Sequence, residues 1–329
     1  MDGFVVGCCM VVAGCGASAL EAHDTRIARV ADTRLAVTLR PCKDMMRVLA
    51  SGRLGDVSGS WVVDTGSSDH TLPEGASSAR FEGTSTAPRC ADNQDLIVSP
   101  QRLAPPGGGI ELDLRHGALF RIGRDAIAGA RDEVAGVGVR LGICRDSRGY
   151  VATVPAIVDG REVALIVDTG SPITALFADT TAGMTATLRA TDHIYIERSF
   201  PDGSAASLAL VPSAHLEVGD TTETLAIVVM AHPPIVDALS CHADGLLGLD
   251  VLRGCTIVLD ATGGALACEV PPPGVDTAPG LERLPREPHT AGLLARAPAP
   301  APGVATTGGC DAVTEAEVSA WAAEHHVPT

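Results

Sequence analysis

Lysine is nearly missing from this chain. Lys43 is the only one in 329 residues, and arginine supplies almost all the positive charge. The formal charge of −16 leaves little basic surface for phosphate, which argues against nucleic acid as a partner. Aromatic residues make up only 3%, so the core that the 46% hydrophobic content allows must be built from Val, Leu, Ile and Ala. Residues 4–13 form an apolar run, far below the about 20 residues that a membrane-spanning helix takes. No cysteines stand in a Cys-x-x-Cys pair, so a structural zinc site is not expected. The ten histidines form no metal constellation, and His242 beside Cys241 reads as a surface residue. No metal and no cofactor are implied.

What is present is a tetrapeptide written twice. Asp64-Thr65-Gly66-Ser67 follows the apolar residues 61–63, and Asp168-Thr169-Gly170-Ser171 follows residues 165–167. Each reads as a short buried strand ending in a tight turn that presents a carboxylate. Two carboxylates about 3 Å apart cannot both ionise, and a pair sharing one proton can activate water for attack on a peptide carbonyl. Gly66 and Gly170 suit a turn packed backbone against backbone, with no room for a Cβ. The apolar residues before each Asp dehydrate the site and strengthen its electrostatics. Other uses of Asp-Thr-Gly fit poorly. An aspartyl-phosphate site needs Lys after the Asp, and a metal-adhesion site needs Ser two residues beyond it, where this chain has Gly.

A second landmark extends the duplication. Gly245-Leu246-Leu247-Gly248-Leu249-Asp250 lies downstream of the second Asp, and Val139-Arg140-Leu141-Gly142-Ile143-Cys144 downstream of the first. Both landmarks recur at an offset of about a hundred residues, as a duplicated ancestral unit would. Gly142 and Gly248 are then expected to let this segment thread beside the Asp turn.

Asp-Thr-Gly-Ser after an apolar strand, with an apolar-apolar-Gly segment downstream, resembles the retropepsin-like aspartic peptidases. The resemblance runs from residue 45 to residue 270. It is stronger in the second half, where residues 165–176 fit the family's active-site pattern throughout. The first half departs from the pattern at Trp61, His70 and Arg140. The resemblance implies an all-β fold of two retropepsin-like β-barrel units related by pseudo-two-fold symmetry, with Asp64 and Asp168 as the catalytic pair. It also implies that Thr65 and Thr169 hydrogen-bond across the axis. Ser67 and Ser171 are expected to bond the outer carboxylate oxygens through their hydroxyls. In that family a hairpin closes over the peptide as a flap; the candidates here have tips at residues 201–204 and 105–109.

Strands are expected at 35–39 and 46–50, at 61–63, and at 95–98 and 110–114 as a hairpin around residues 105–109. Residues 151–158 and 162–167 straddle Asp159-Gly160, a strong hairpin signal. Strands at 193–196, 206–211, 216–219 and 225–230 follow, and a hairpin at 256–260 and 265–270 closes the pattern. The expected division is a first, divergent unit at 34–148 and a second at 149–270. A tether at 16–33 precedes them. A Pro/Ala-rich linker at 271–312, unable to build a packed core, follows them. A short terminal helix is expected at 313–329, where Thr314 and Glu317 have capping-box spacing.

Residues 4–13 suit the core of a signal peptide. Val12-Ala13-Gly14-Cys15 resembles a bacterial lipoprotein cleavage box, although no basic residue precedes Phe4. The resemblance implies export, a lipidated Cys15 and a place at the cell envelope. Seven cysteines follow Cys15. An exported protein can oxidise them; Cys241 and Cys255, flanking the 245–248 element, are candidates for one bridge, and one thiol is left over. The expected function is aspartic endopeptidase, acting on a peptide or protein substrate as a monomer with a pseudo-dimeric site. Two alternatives stand beside it. One is a homodimer pairing Asp168 with its own copy, and the other is a non-catalytic envelope binding module on the same fold.

Overall fold

A computed structural model describes residues 34–42, 45–71, 81–84, 86–90, 96–189, 198–199, 205–206 and 208–268. The expectations for the signal segment, tether, linker and terminal helix, and for the strand at 193–196 and the tip at residues 201–204, lie outside the described residues.

The first half contains β1 (Leu35–Ala36), β2 (Thr38–Cys42), β3 (Met45–Leu54), β4 (Val57–Val63), β5 (Phe81–Gly83) and β6 (Ile97–Val98). A 3₁₀ helix (Pro100–Leu103) leads into β7 (Gly109–Asp113), β8 (Ala118–Ile122), helix α1 (Arg124–Ala135) and β9 (Val139–Arg145). Then come β10 (Tyr150–Val158), β11 (Arg161–Val167), β12 (Ala175–Phe177) and helix α2 (Thr181–Arg189). The short strands β13 (Arg198–Ser199) and β14 (Ala205–Ala206) precede β15 (Leu208–Val218), β16 (Thr221–Met230) and α3 (Pro234–Asp237). The described chain ends with β17 (Gly245–Leu247), α4 (Leu249–Leu252), β18 (Cys255–Asp260) and β19 (Gly264–Cys268).

The fold is all-β, with helices only as connections. One sheet runs β2-β3-β4-β6 with β5 on the flank of β3. A second runs β1-β8-β7-β18-β19-β9-β10-β11-β17-β12-β16-β15, and a pairing of β10 with β15 closes its last six strands into a barrel. The expected turn between β10 and β11 is present. Asp159 and Gly160 have φ of 49° and 78°, the left-handed pair that a tight two-residue hairpin demands. Asp159 also accepts the His215 N–H at 2.9 Å, which ties the turn to β15.

Trp61 sits at 0% exposure in the first half. Its indole N–H donates to the Gly52 carbonyl at 3.2 Å and its ring meets Phe81 edge-on at 5.9 Å. Gly52 makes room for this, since a Cβ there would lie 2.2 Å from the Phe81 ring. The bulky departure at Trp61 is thus compensated locally. Arg140 lies on the exposed side of β9, bonded to Asp132 at 3.1 Å, and leaves the core undisturbed.

Four expectations are corrected. The hairpin around residues 105–109 does not form: β6 pairs in parallel with β4, while β7 pairs with β8 and β18. No flap tip exists there. Residues 139–144 are not the first-half counterpart of residues 245–250 either. They form β9, which pairs with β10 and β19, and the strand beside the Asp64 strand is β6. Gly142 accordingly faces Thr153 rather than the Asp turn. Cys241 bonds to Cys144 and Cys255 to Cys268, with a third bridge between Cys42 and Cys90. Cys255 and Cys268 are directly opposite in the β18–β19 register, a proximity that sequence flanking could not supply. Helix α1 went unread; its signals are Ile127 and Val134 on one face, packed near Val258 and Ala265, between Gly123 and Gly136.

Candidate active site

Each Asp-Thr-Gly turn is anchored by the strand threaded beside it. In the second half, Ile166 and Val167 register with Leu246 and Leu247 in parallel, and the Asp168 N–H donates to the Leu247 carbonyl at 3.0 Å. In the first, Val62 and Val63 register with Ile97 and Val98, and the Asp64 N–H donates to the Val98 carbonyl at 3.1 Å. Gly248 allows the close approach, since a Cβ there would fall 2.3 Å from the Ile173 carbonyl carbon.

The two turns meet. A Cβ on Gly66 would lie 2.5 Å from Cγ of Asp168, and one on Gly170 would lie 2.5 Å from Cγ of Asp64. The glycines therefore leave the space that the opposite carboxyl fills, not merely room for backbone. The Thr65 N–H donates to Thr169 Oγ1 at 3.1 Å, and the Thr169 N–H donates to Thr65 Oγ1 at 3.0 Å. The hydroxyls in turn donate to the carbonyls of Val167 and Val63, both at 2.7 Å. Both threonines are fully buried, so these four bonds have no competing water.

The carboxyls of Asp64 and Asp168 hydrogen-bond one another. Protein closes around both, yet each residue keeps part of its surface open. Desolvation raises the Asp64 pKa, opposed by its bonds with Asp168, Gly66 and Ser67 and by the charge of Arg47. Asp168 is pushed well above the usual carboxylate range, first by desolvation and then by the neighbouring charge of Asp64. One proton is therefore retained by the pair where isolated carboxylates would have lost both.

Ser67 and Ser171 differ from expectation. Their hydroxyls donate to the carbonyls of Asp69 and Ile173, both at 2.7 Å. The carboxylates are served by backbone instead: Gly66 N–H to Asp64 Oδ1 and Gly170 N–H to Asp168 Oδ1, each 2.8 Å, with Ser171 N–H to Asp168 Oδ1 at 3.1 Å. The turn already points its N–H groups at the acid, so the hydroxyl is free to satisfy a carbonyl.

Three further residues hold the site. Arg47, on β3, donates from Nη1 to the Gly170 carbonyl, which brings a cation to the second turn. Gln101 donates from Nε2 to the Thr65 carbonyl at 2.7 Å. Asp250 accepts the Thr174 N–H and hydroxyl at 2.9 and 2.8 Å, and burial pushes its pKa up to about 6. Asp250 ends the Gly-Leu-Leu-Gly-Leu-Asp element, and the sequence reading assigned it no role. Nothing in local sequence marks Arg47 or Gln101. Among the described residues no cluster of His, Cys, Asp and Glu could hold a metal ion.

Residues 154–251 match the family described as aspartyl protease. The chain resembles the retropepsin-like aspartic proteases. Among solved structures, it is similar to the retroviral protease-like domain of Ddi1 from Leishmania major, at 15% identity and a TM-score of 0.25, over 36% of this chain and 96% of that one. It is also similar to an aspartic proteinase from Irpex lacteus, at 15% identity and a TM-score of 0.38, over 71% and 96% of the two chains. A retropepsin-like aspartic protease from Rickettsia conorii matches at 19% identity and a TM-score of 0.25, over 39% and 94%. No curated protein matches the chain. The family match supports aspartic peptidase chemistry, and it falls on the half of the chain that contains Asp168.

Proposed function

We propose that this chain is an aspartic endopeptidase in which Asp64 and Asp168 act as one catalytic pair, supplied by units at residues 34–148 and 149–270. The observation that carries the proposal is the mutual placement of the turns, each glycine leaving room for the other turn's carboxyl. In the working form Asp64 is ionised and Asp168 holds the proton, as Arg47 favours charge on Asp64 and the Asp64 charge opposes a second one. A water between them gives a proton to Asp64 while its oxygen attacks the scissile carbonyl, and Asp168 protonates the carbonyl oxygen. The resulting gem-diol collapses as Asp64 gives its proton to the departing amine nitrogen and Asp168 takes a hydroxyl proton, which restores the pair to its starting charge. Thr65, Thr169 and the glycines hold the turns so that no reorganisation is needed during the step.

Bonding of Asp168 to Asp64 within one chain supports a monomeric enzyme over a homodimer built on Asp168 alone. Export and a lipidated Cys15 remain part of the proposal, on the strength of residues 4–15 only. The test uses chain lacking residues 1–15, assayed on a mixed peptide library between roughly pH 3 and 8, with Asp64→Asn and Asp168→Asn made singly. Each change is expected to abolish cleavage. Loss with Asp168→Asn alone would point to the homodimer; a folded protein that cleaves nothing in the library would point to the binding module.

A further inference from the structure

His70 departs from the family pattern, and the two halves of the site show what it replaces. His70 and Thr174 each stand six residues beyond their aspartate. Ser99 and Gly248 each follow the strand threaded beside the Asp strand, one residue after Val98 and Leu247. In the second half the Gly248 N–H donates to the Thr174 hydroxyl at 3.2 Å. In the first, the Ser99 N–H donates to Nδ1 of His70 at 3.1 Å. An imidazole nitrogen thus does the work of a hydroxyl oxygen.

The exchange is chemically unequal. A hydroxyl accepts a hydrogen bond at any pH in the working range, whereas Nδ1 accepts only while it carries no proton. Once protonated, the ring turns an N–H toward the Ser99 N–H, and the bond is replaced by repulsion. Ser99 is fully buried, so its N–H has no water to turn to.

What Ser99 holds leads to the catalytic turn. The Ser99 hydroxyl bonds Gln101 Oε1 at 3.1 Å, which orients the amide so that Nε2 donates to the Thr65 carbonyl at 2.7 Å. Thr65 is one half of the reciprocal threonine exchange and neighbours Asp64.

We infer that His70 is a positioning residue that makes the Asp64 turn acid-labile: neutral, it fixes the Ser99–Gln101 strut under Thr65, and protonated, it releases that strut. Activity then falls on the acid side through loss of the strut, independently of the charge on the aspartate pair. The charged groups around the ring are Asp69 on its own turn and Arg102 on the 3₁₀ helix, paired with each other at 2.9 Å. Asp69 favours the imidazolium, but burial first and Arg102 second oppose it, and the His70 pKa lies below the usual 6.5. The sign follows. A base with a depressed folded-state pKa stabilises above pH 6.5, and that contribution is lost as pH falls through the folded value.

The mechanistic half of this inference rests on the peptidase reading; the structural half does not, and the experiment separates them. On the wild-type chain, NMR titration of the imidazole and pH-dependent exchange of the Ser99 amide require no activity. The expected result is a neutral ring protonated at Nε2, with Ser99 protection dropping about tenfold for each pH unit below the His70 pKa. A ring protonated at Nδ1 when neutral, or a Ser99 amide still protected when His70 is charged, would overturn the inference. If cleavage is found, His70→Thr, which restores the hydroxyl of the other half, is expected to extend the acid limb of kcat/KM, raising activity about tenfold one pH unit below the His70 pKa. An unchanged acid limb in a folded variant would equally overturn it. Absence of cleavage in both proteins would sink the peptidase reading while leaving the exchange measurement decisive.

Discussion

Thr65 and Thr169 hold each other by exchange. Each hydroxyl accepts the other residue's N–H and donates to the carbonyl just before the other's aspartate. Thr169→Val keeps the shape but strands the Thr65 N–H and the Val63 carbonyl in a dry interior. A loss of about 2–4 kcal/mol in denaturant melts is expected, from two buried groups left unpaired. Thr169→Ser, which restores the hydroxyl, should recover most of it. A valine variant as stable as wild type would mean that the exchange contributes nothing.

Gly170→Ala tests the steric half of the arrangement. The new methyl would lie 2.5 Å from Cγ of Asp64, so the carboxyls must separate. A displacement of about 1 Å in reacting groups costs on the order of 100-fold in rate. Turnover should fall by that much while the disulfides and far-UV spectrum are kept. Full activity in the alanine variant would contradict the placement of the turns.

Arg47 acts on the charge of the pair. A cation beside Asp64 favours its ionised form, so Arg47→Met should raise the pKa for forming the singly charged pair. In the His70→Thr background, where the pair itself sets the acid side, the acid limb of kcat/KM is then expected to move to higher pH, by about half a unit to one unit. Arg47→Lys, retaining charge, should move it less. A shift toward lower pH would show that the sign is wrong.

The pair should also cost stability near neutral pH. The Asp168 pKa is raised above the 3.8 of an unfolded aspartate, so the native state binds more protons than the unfolded one. Its destabilising contribution begins as pH rises above about 3.8 and grows until the native value is passed. Asp168→Asn keeps an oxygen for the Gly170 and Ser171 N–H groups and removes the charge. Its Tm at pH 7 is expected to lie above wild type, by ~2–4 °C for each kcal/mol relieved in a domain of this size. The gain should vanish near pH 4, and a gain that grows on acidification would refute the assignment.

How much was legible beforehand varies with the range of the contacts. The aspartates, their threonines and their glycines were readable because the doubled tetrapeptide specifies its own local turn. Asp159-Gly160 was readable because only a few residue pairs suit two left-handed positions. The partner of the Asp64 strand was not. Ile97 and Val98 are two residues long, lack the flanking glycine of Gly245–Leu247, and are chosen by the register of a parallel pairing. The similar spacing of residues 139–144 mimicked it by composition alone. The serine hydroxyls were misassigned because the turn's own N–H groups, invisible in a string of side chains, already occupied the carboxylates. Cys144 and Cys241 stand 97 residues apart and meet only because β9 and the segment before β17 pack together.

The placement of β18 and β19 bears on when the molecule can first work. These strands, among the last described, lie between β7 and β9 and supply both with their ladder partners. While the ribosome has yet to deliver residue 268, β7 has one open edge and β9 pairs with β10 alone. The early half of the chain must therefore wait for the late half before it can close. A polypeptide ending before residue 268 would carry both acidic turns and still lack these ladder partners, so the sheet that joins the two halves is completed only once β19 has been made.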